Sequence, residues 1–136
     1  MDEQPASGAG FPTGLSARVE LTVTDADTAQ AVGSGDVSVL GTPRVLALVE
    51  AATVAATATR MPPGMTTVGV RLELDHRAPT PVGRRVVAQA TLSKVDGRRL
   101  LFEVSVTEGD QVVADGRVER ALVDRQRFMA RAFGGS

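Results

Sequence analysis

Apolar and polar residues alternate from Ala17 to Val23, with Val19, Leu21 and Val23 on one side, the period-two signature of a half-buried strand. Asp25 to Val39 is small and polar around Gly33-Ser34-Gly35 and reads as a loop with at most a short turn of helix. The period then changes. Thr42 is a good N-cap, and Pro43 suits the first helical position, where its missing N–H costs nothing. Arg44 to Arg60 is rich in Ala and Leu, and Pro62-Pro63-Gly64 stops it. Glu50 is the one charged residue between Val45 and Thr59, and a helix apolar on nearly every side is expected to be buried on nearly every side. Val68, Val70, Leu72 and Leu74 then alternate up to Asp75-His76. Val86 to Val95 follows the breaker Pro79-Thr80-Pro81, Asp96-Gly97 signals a two-residue hairpin, and Leu100 to Thr107 leaves it. After Glu108-Gly109-Asp110, Gln111 to Val123 is the last strand, and Arg125 to Phe133 reads as a short terminal helix. The pattern predicts an α+β chain: one strand, a loop, one long helix, then a meander of four strands. Such a sheet has to curve around the helix to cover it.

Residues 1–14, rich in Gly, Pro, Ala and Ser without an apolar period, read as a disordered leader, which leaves 15–136 as a single domain. At 136 residues one domain is the ordinary expectation. Fifteen basic residues against sixteen acidic ones give a net charge of −1, which argues against a nucleic-acid partner. No stretch approaches the roughly 20 apolar residues of a membrane helix, and the N-terminal residues lack the basic and apolar regions of a signal peptide. The expected location is cytoplasmic, with no membrane partner. Without cysteine, and with His76 as the single histidine, thiolate chemistry and a multi-histidine metal site within one subunit are excluded, and no metal or cofactor is expected. The core must be built from Val, Leu and Ala, because Phe102 is the only aromatic in the central region. Burial yields about 25 cal/mol per Å² of apolar surface, so a chain with so few large side chains would gain from a partner subunit.

Three residues carry candidate chemistry. A carboxylate alone in an apolar helix is costly unless partnered, so Glu50 is either an exposed stripe or a group placed in a cavity as base, nucleophile or orienter. His76 ends a strand next to Arg77-Ala78-Pro79, and Thr42 opens the helix. Eight residues of helix separate Thr42 from Glu50, about 12 Å of rise and about 80° of rotation. Helical side chains lean back toward the N-terminus, so an imidazole placed between the two could contact both. Hydroxyl, imidazole and carboxylate in that order are a nucleophile, a base and an orienter. The helix N-terminus would add donors for an oxyanion, with Arg44 and Val45 the nearest backbone N–H groups.

Several segments carry a resemblance: Gly41-Thr42, Val45 to Ala52 around Glu50, Thr67-Val68-Gly69, His76 with Ala78, Thr80, Pro81 and Gly83, Val95 to Leu100, and Gly116 to Ala121. Across roughly residues 15–130 the chain resembles the hotdog-fold thioesterases of the fluoroacetyl-CoA thioesterase family. The resemblance implies a hotdog fold, an acyl-CoA substrate, catalytic roles for Thr42, Glu50 and His76, and an acyl pocket lined by Gly69 and Arg120. It also implies a homodimer with the coenzyme A arm along the subunit interface. The chain departs from the family in the segment before the helix. Asp25 to Leu40 carries no aromatic, which leads to the expectation of an open pocket with little preference for fluoroacetyl over acetyl groups. Arg44, Arg77, Arg84 and Arg85 are candidates for the coenzyme's phosphates. The alternatives are an acyl-CoA-binding protein without catalysis, which would be expected to lose one of the three polar residues, and an enoyl-CoA hydratase using Asp75-His76. Strand alternation disfavours the second by sending adjacent side chains to opposite faces.

Overall fold

A computed structural model describes residues 10–134. Strand β1 (Ser16–Thr22) is followed by a 3₁₀ turn (Asp25–Asp27), the one-turn helix α1 (Ala29–Val32) and the long helix α2 (Thr42–Thr57), which ends in a second 3₁₀ turn (Ala58–Arg60). Four strands follow, β2 (Met65–His76), β3 (Arg85–Asp96), β4 (Arg99–Glu108) and β5 (Gln111–Asp124), and then helix α3 (Arg125–Ala132). The class is α+β, a five-stranded antiparallel sheet curved over α2, which is the hotdog architecture. Among the described residues no helix is long and apolar enough to cross a membrane. The leader expected over residues 1–14 falls on residues 1–9 outside the described residues. Within 10–14, Phe11 is packed into the core at 4% exposure, and the Gly14 N–H donates to the Leu92 carbonyl.

The sheet order is β1-β3-β4-β5-β2. The expected four-strand meander is therefore three strands long, β3-β4-β5, while β2 pairs with β5 at the far edge. Residues 77–84 carry the chain from one side of the sheet to the other. Both hairpins of the meander turn on a glycine at positive φ, Gly97 at 60° and Gly109 at 58°. In the first, Asp96 pairs with Arg99, so the central residues are Gly97-Arg98 rather than Asp96-Gly97. Glycine in first place suits the type II′ geometry that matches strand twist.

The inward faces of β3, β4 and β5 supply the core: Val86, Ala88, Ala90 and Leu92, then Leu100, Phe102, Val104 and Val106, then Ala114, Val118 and Leu122. Helix α2 lays Val45, Leu48, Val49, Ala52 and Ala56 against them. Its opposite face is uncovered. Ala47, Ala51 and Ala55 are exposed and Val54 is 47% exposed, so one face is buried rather than nearly all sides. The sequence pattern misses this because alanine and valine are apolar whether or not anything covers them.

Strand β2 carries an irregularity that sets which way its last residues face. Its register against β5 shifts between Gly69 and Arg71. One extra residue reverses the phase of a strand's two faces. Thr67 and Gly69 face inward before the bulge, and Leu72, Leu74 and His76 after it. The apparent alternation from Val68 to Leu74 thus spans two faces. Without the bulge, His76 would point away from Gly69; with it, both look toward α2.

Candidate active site

The N-cap of α2 is Gly41, and its carbonyl accepts from both the Arg44 and Val45 N–H groups at 3.0 and 3.1 Å. Thr42 is therefore the first helical residue and Pro43 the second. The Thr42 side chain caps nothing; instead its Oγ1 lies 2.7 Å from Nδ1 of His76. The two backbone donors expected to serve an oxyanion are already committed to Gly41. Behind this turn, Asp27 binds the start of the helix to the segment before it. Its Oδ2 accepts from the Thr24 N–H and hydroxyl at 2.8 and 2.9 Å, and its Oδ1 accepts from Arg44 Nε at 2.9 Å. Burial works to raise the Asp27 carboxyl, but these donors outweigh it and hold the group below the ordinary carboxylate range. The Gly41 N–H donates to the Asp27 carbonyl at 2.9 Å, so the residue before Thr42 is pinned as well.

Thr42 and His76 open into a cavity of about 350 Å³ between residues 29–40 and the start of the β2–β3 crossover. Its walls include Asp36, Val37, Val39 and Leu40 on one side and Arg77, Ala78 and Pro79 on the other. The segment 25–40 is more ordered than a plain loop. Besides its two helical turns it forms isolated bridges, Thr28 with Leu40 and Val39 with Pro81. Burial pushes the His76 imidazole below its ordinary value, with the Ala78 backbone opposing. Nε2 is buried and has no hydrogen-bond partner of ordinary geometry among the described residues. A neutral ring that accepts the Thr42 hydroxyl at Nδ1 carries its proton on Nε2.

Glu50 lies elsewhere. Its Oε2 accepts from Arg120 Nη1 at 3.0 Å, and its side chain is 36% exposed. Gly69 sits beneath the carboxylate; a Cβ built there would fall inside contact distance of Glu50 Oε2. Arg120 is 7% exposed, and burial pulls its guanidinium below the ordinary value while Glu50 works to hold it up. The expected imidazole between Thr42 and Glu50 is thus replaced by two pairs, Thr42–His76 and Glu50–Arg120, and no hydrogen bond links them among the described residues. The reason is Arg120: a buried guanidinium one strand away is a stronger partner for a carboxylate than a neutral imidazole. Spacing along the helix could not show it, because Arg120 is seventy residues distant in sequence. Thr67, which receives two further Arg120 hydrogen bonds at 2.9 Å, enters the sequence reading only as part of the Thr67-Val68-Gly69 match and with no role of its own, since threonine is ordinary in a strand.

The four arginines considered for phosphate are all engaged with carboxylates: Arg44 with Asp27, Arg77 with Asp115 and Asp75, Arg84 with Glu108, and Arg85 with Glu20. Among the described residues no group of three or more His, Cys, Asp or Glu side chains is arranged to hold a metal.

Residues 23–126 match the family described as fluoroacetyl-CoA-specific thioesterase, FlK. The fluoroacetyl-CoA thioesterase of Streptantibioticus cattleyicolor is 36% identical over 93 residues, covering 68% of this chain and 67% of its own. A crystal structure of the fluoroacetyl-CoA thioesterase FlK superposes with a TM-score of 0.86 at 28% identity, over 93% of this chain and 98% of that one. A hot-dog-like protein from Thermanaerovibrio acidaminovorans has a TM-score of 0.84 at 25% identity, with 93% of each chain covered.

Proposed function

The chain belongs to the fluoroacetyl-CoA-specific thioesterase family and is an acyl-CoA thioesterase; from that premise we propose that Thr42, His76 and Glu50 carry the hydrolysis. The observation that supports this reading is the 2.7 Å contact between Thr42 Oγ1 and His76 Nδ1 on the wall of a cavity. His76 is the base that takes the hydroxyl proton as Thr42 Oγ1 attacks the thioester carbonyl and returns it to the departing coenzyme A thiolate. It then takes a proton from the water that attacks the acyl-Thr42 ester and returns it to Oγ1 as the carboxylic acid leaves. Glu50, kept paired by Arg120 over the side-chain-free Gly69, supplies the carboxylate of the site. Gly69 and Arg120 line its acyl end. Residues 15–136 work as one hotdog domain. The test is release of free thiol across a panel of acyl-CoA esters, with enoyl absorbance followed in parallel. Loss of enoyl absorbance without thiol release would mean hydration instead.

The working unit in this reading is a homodimer. Strand β2 is twelve residues long and lies at a sheet edge, where unpaired backbone groups invite a second strand. The uncovered face of α2 carries Glu50 beside Ala47, Ala51 and Val54, so a partner there would close the site against water.

Thr42→Ser is expected to keep most of the turnover, because it keeps the hydroxyl on His76. Thr42→Ala should lose turnover about a hundredfold, the lower end of the range for loss of a positioned reacting group. Since Gly41 and not Thr42 is the cap, neither variant should lower Tm by the amount a lost cap would. Thermal unfolding beside kcat separates the two effects, and a Thr42→Ala enzyme with normal turnover would remove the hydroxyl from the mechanism.

The acyl group is expected to be unfluorinated. Fluorine is nearly the size of hydrogen, and discrimination by size alone is worth only a few kcal/mol. The cavity wall from Ser34 to Leu40 offers valines, a leucine and Asp36, with no aromatic to close over a fluoromethyl group. kcat/KM for fluoroacetyl-CoA and acetyl-CoA, measured side by side, should differ by far less than a thousandfold. A larger preference, on the order of 4 kcal/mol, would place selectivity outside this segment.

A further inference from the structure

The Glu50 carboxylate receives its hydrogen bond from Arg120 on β5, and Arg120 in turn is oriented by a residue on β2. Its fork makes three hydrogen bonds: Nη1 to Glu50 Oε2 at 3.0 Å, Nε to Thr67 Oγ1 at 2.9 Å, and Nη2 to the Thr67 carbonyl at 2.9 Å. Two of the three fall on one residue. We propose that Thr67 is the positioning residue for the Glu50 carboxylate, acting through the plane of the Arg120 guanidinium.

The argument is geometric. A guanidinium is rigid and planar, so two of its nitrogens held on one residue leave the third no freedom of direction. Thr67 offers its acceptors from a buried position between half-buried neighbours on the strand, with 8% of its surface exposed. Gly69 stands directly opposite Arg120 in the β2–β5 register, with Thr67 two residues before it on the same face. The absent side chain at Gly69 leaves the space that the Arg120 tip and the Glu50 carboxylate share; a Cβ there would lie 3.5 Å from Arg120 Nη1. The bulge that follows brings His76 to this same face. Thr67 thus sets the direction of the carboxylate relative to the Thr42–His76 pair, although it touches neither.

This inference rests on the catalytic reading of Glu50, and the experiment separates the two. Thr67→Val keeps the volume and the backbone carbonyl and removes only the hydroxyl. Its kcat is expected to fall about tenfold with KM changed less than about twofold, the pattern of a lost transition-state interaction. Thr67→Ser should recover most of the loss. In an Arg120→Lys background, where an ammonium has no plane to orient, adding Thr67→Val should cost less than about a further twofold. Should Thr67→Val fail to fold, Thr67→Ala is carried through the same comparison. Normal kcat in the hydroxyl-free variant, equal losses in the Val and Ser variants, or a full tenfold cost persisting beside Arg120→Lys would each overturn the proposal. If Glu50→Gln abolishes turnover while Thr67→Val does not, only this inference falls. If Glu50→Gln is itself harmless, the catalytic reading of Glu50 falls first.

Discussion

Replacing Glu50 by Gln is expected to lower kcat about a hundredfold or more, the scale of a positioned acid–base or nucleophilic group. The substitution suits the question because it changes charge and little else. A glutamine carbonyl can still accept from Arg120 Nη1, so the hydrogen bond is kept while the buried guanidinium loses its counter-charge, and Tm measured beside kcat separates that cost in stability from the loss in turnover. Larger truncations would confuse the outcome by leaving Arg120 buried and alone, which is costly in itself. Thiol release in the steady state gives the size of the loss, and the first turnover gives its location. One equivalent of thiol released quickly, followed by a stall, would place the carboxylate in the step that frees the acid. A uniformly slow release would place it in the attack on the thioester. A variant with near-normal turnover would return Glu50 to the status of a half-exposed carboxylate serving only as the partner of Arg120.

The elements of this fold were legible from the chain to within a few residues, because period-two and helical patterns are local properties. Their arrangement was less so. The order β1-β3-β4-β5-β2 depends on where the 77–84 connection crosses, and nothing in Arg77-Ala78-Pro79 records a destination. The bulge after Gly69 was hidden because Val68, Val70, Leu72 and Leu74 keep their spacing while the backbone beneath them changes phase. The site divides in the same way. Thr42, Glu50 and His76 stand out as residue types in odd places, and the resemblance added Gly69 and Arg120. Which of them touch was misjudged, since the pairing of Glu50 with Arg120 is a contact across the sheet that helix geometry cannot anticipate. The Thr42 cap was misassigned by one residue, and that single step frees its hydroxyl for His76.

The separation of Glu50 from His76 also decides the sign of the pH dependence. An adjacent carboxylate would have stabilised imidazolium and moved the acid limb of kcat/KM upward. With Glu50 committed to Arg120, burial dominates, and the imidazole lies below its ordinary value of 6.5. A base must be neutral to accept a proton, so His76 stays competent further into acid than a solvated histidine would. The acid limb of kcat/KM is therefore expected below pH 6.5, and His76→Ala should both remove it and lower the rate about a hundredfold. Stability follows the same proton. The unfolded chain binds it near pH 6.5, while the folded chain binds it only at lower pH. Between those values the unfolded state holds more protons and stability falls as the solution is acidified. The full stability from this group is present above pH 6.5 and its loss is complete once the folded imidazole has titrated. Unfolding midpoints and kcat/KM, both followed from pH 8 downward, should share this dependence on His76. An acid limb above pH 6.5, or one that survives in His76→Ala, would show that the titrating base lies elsewhere.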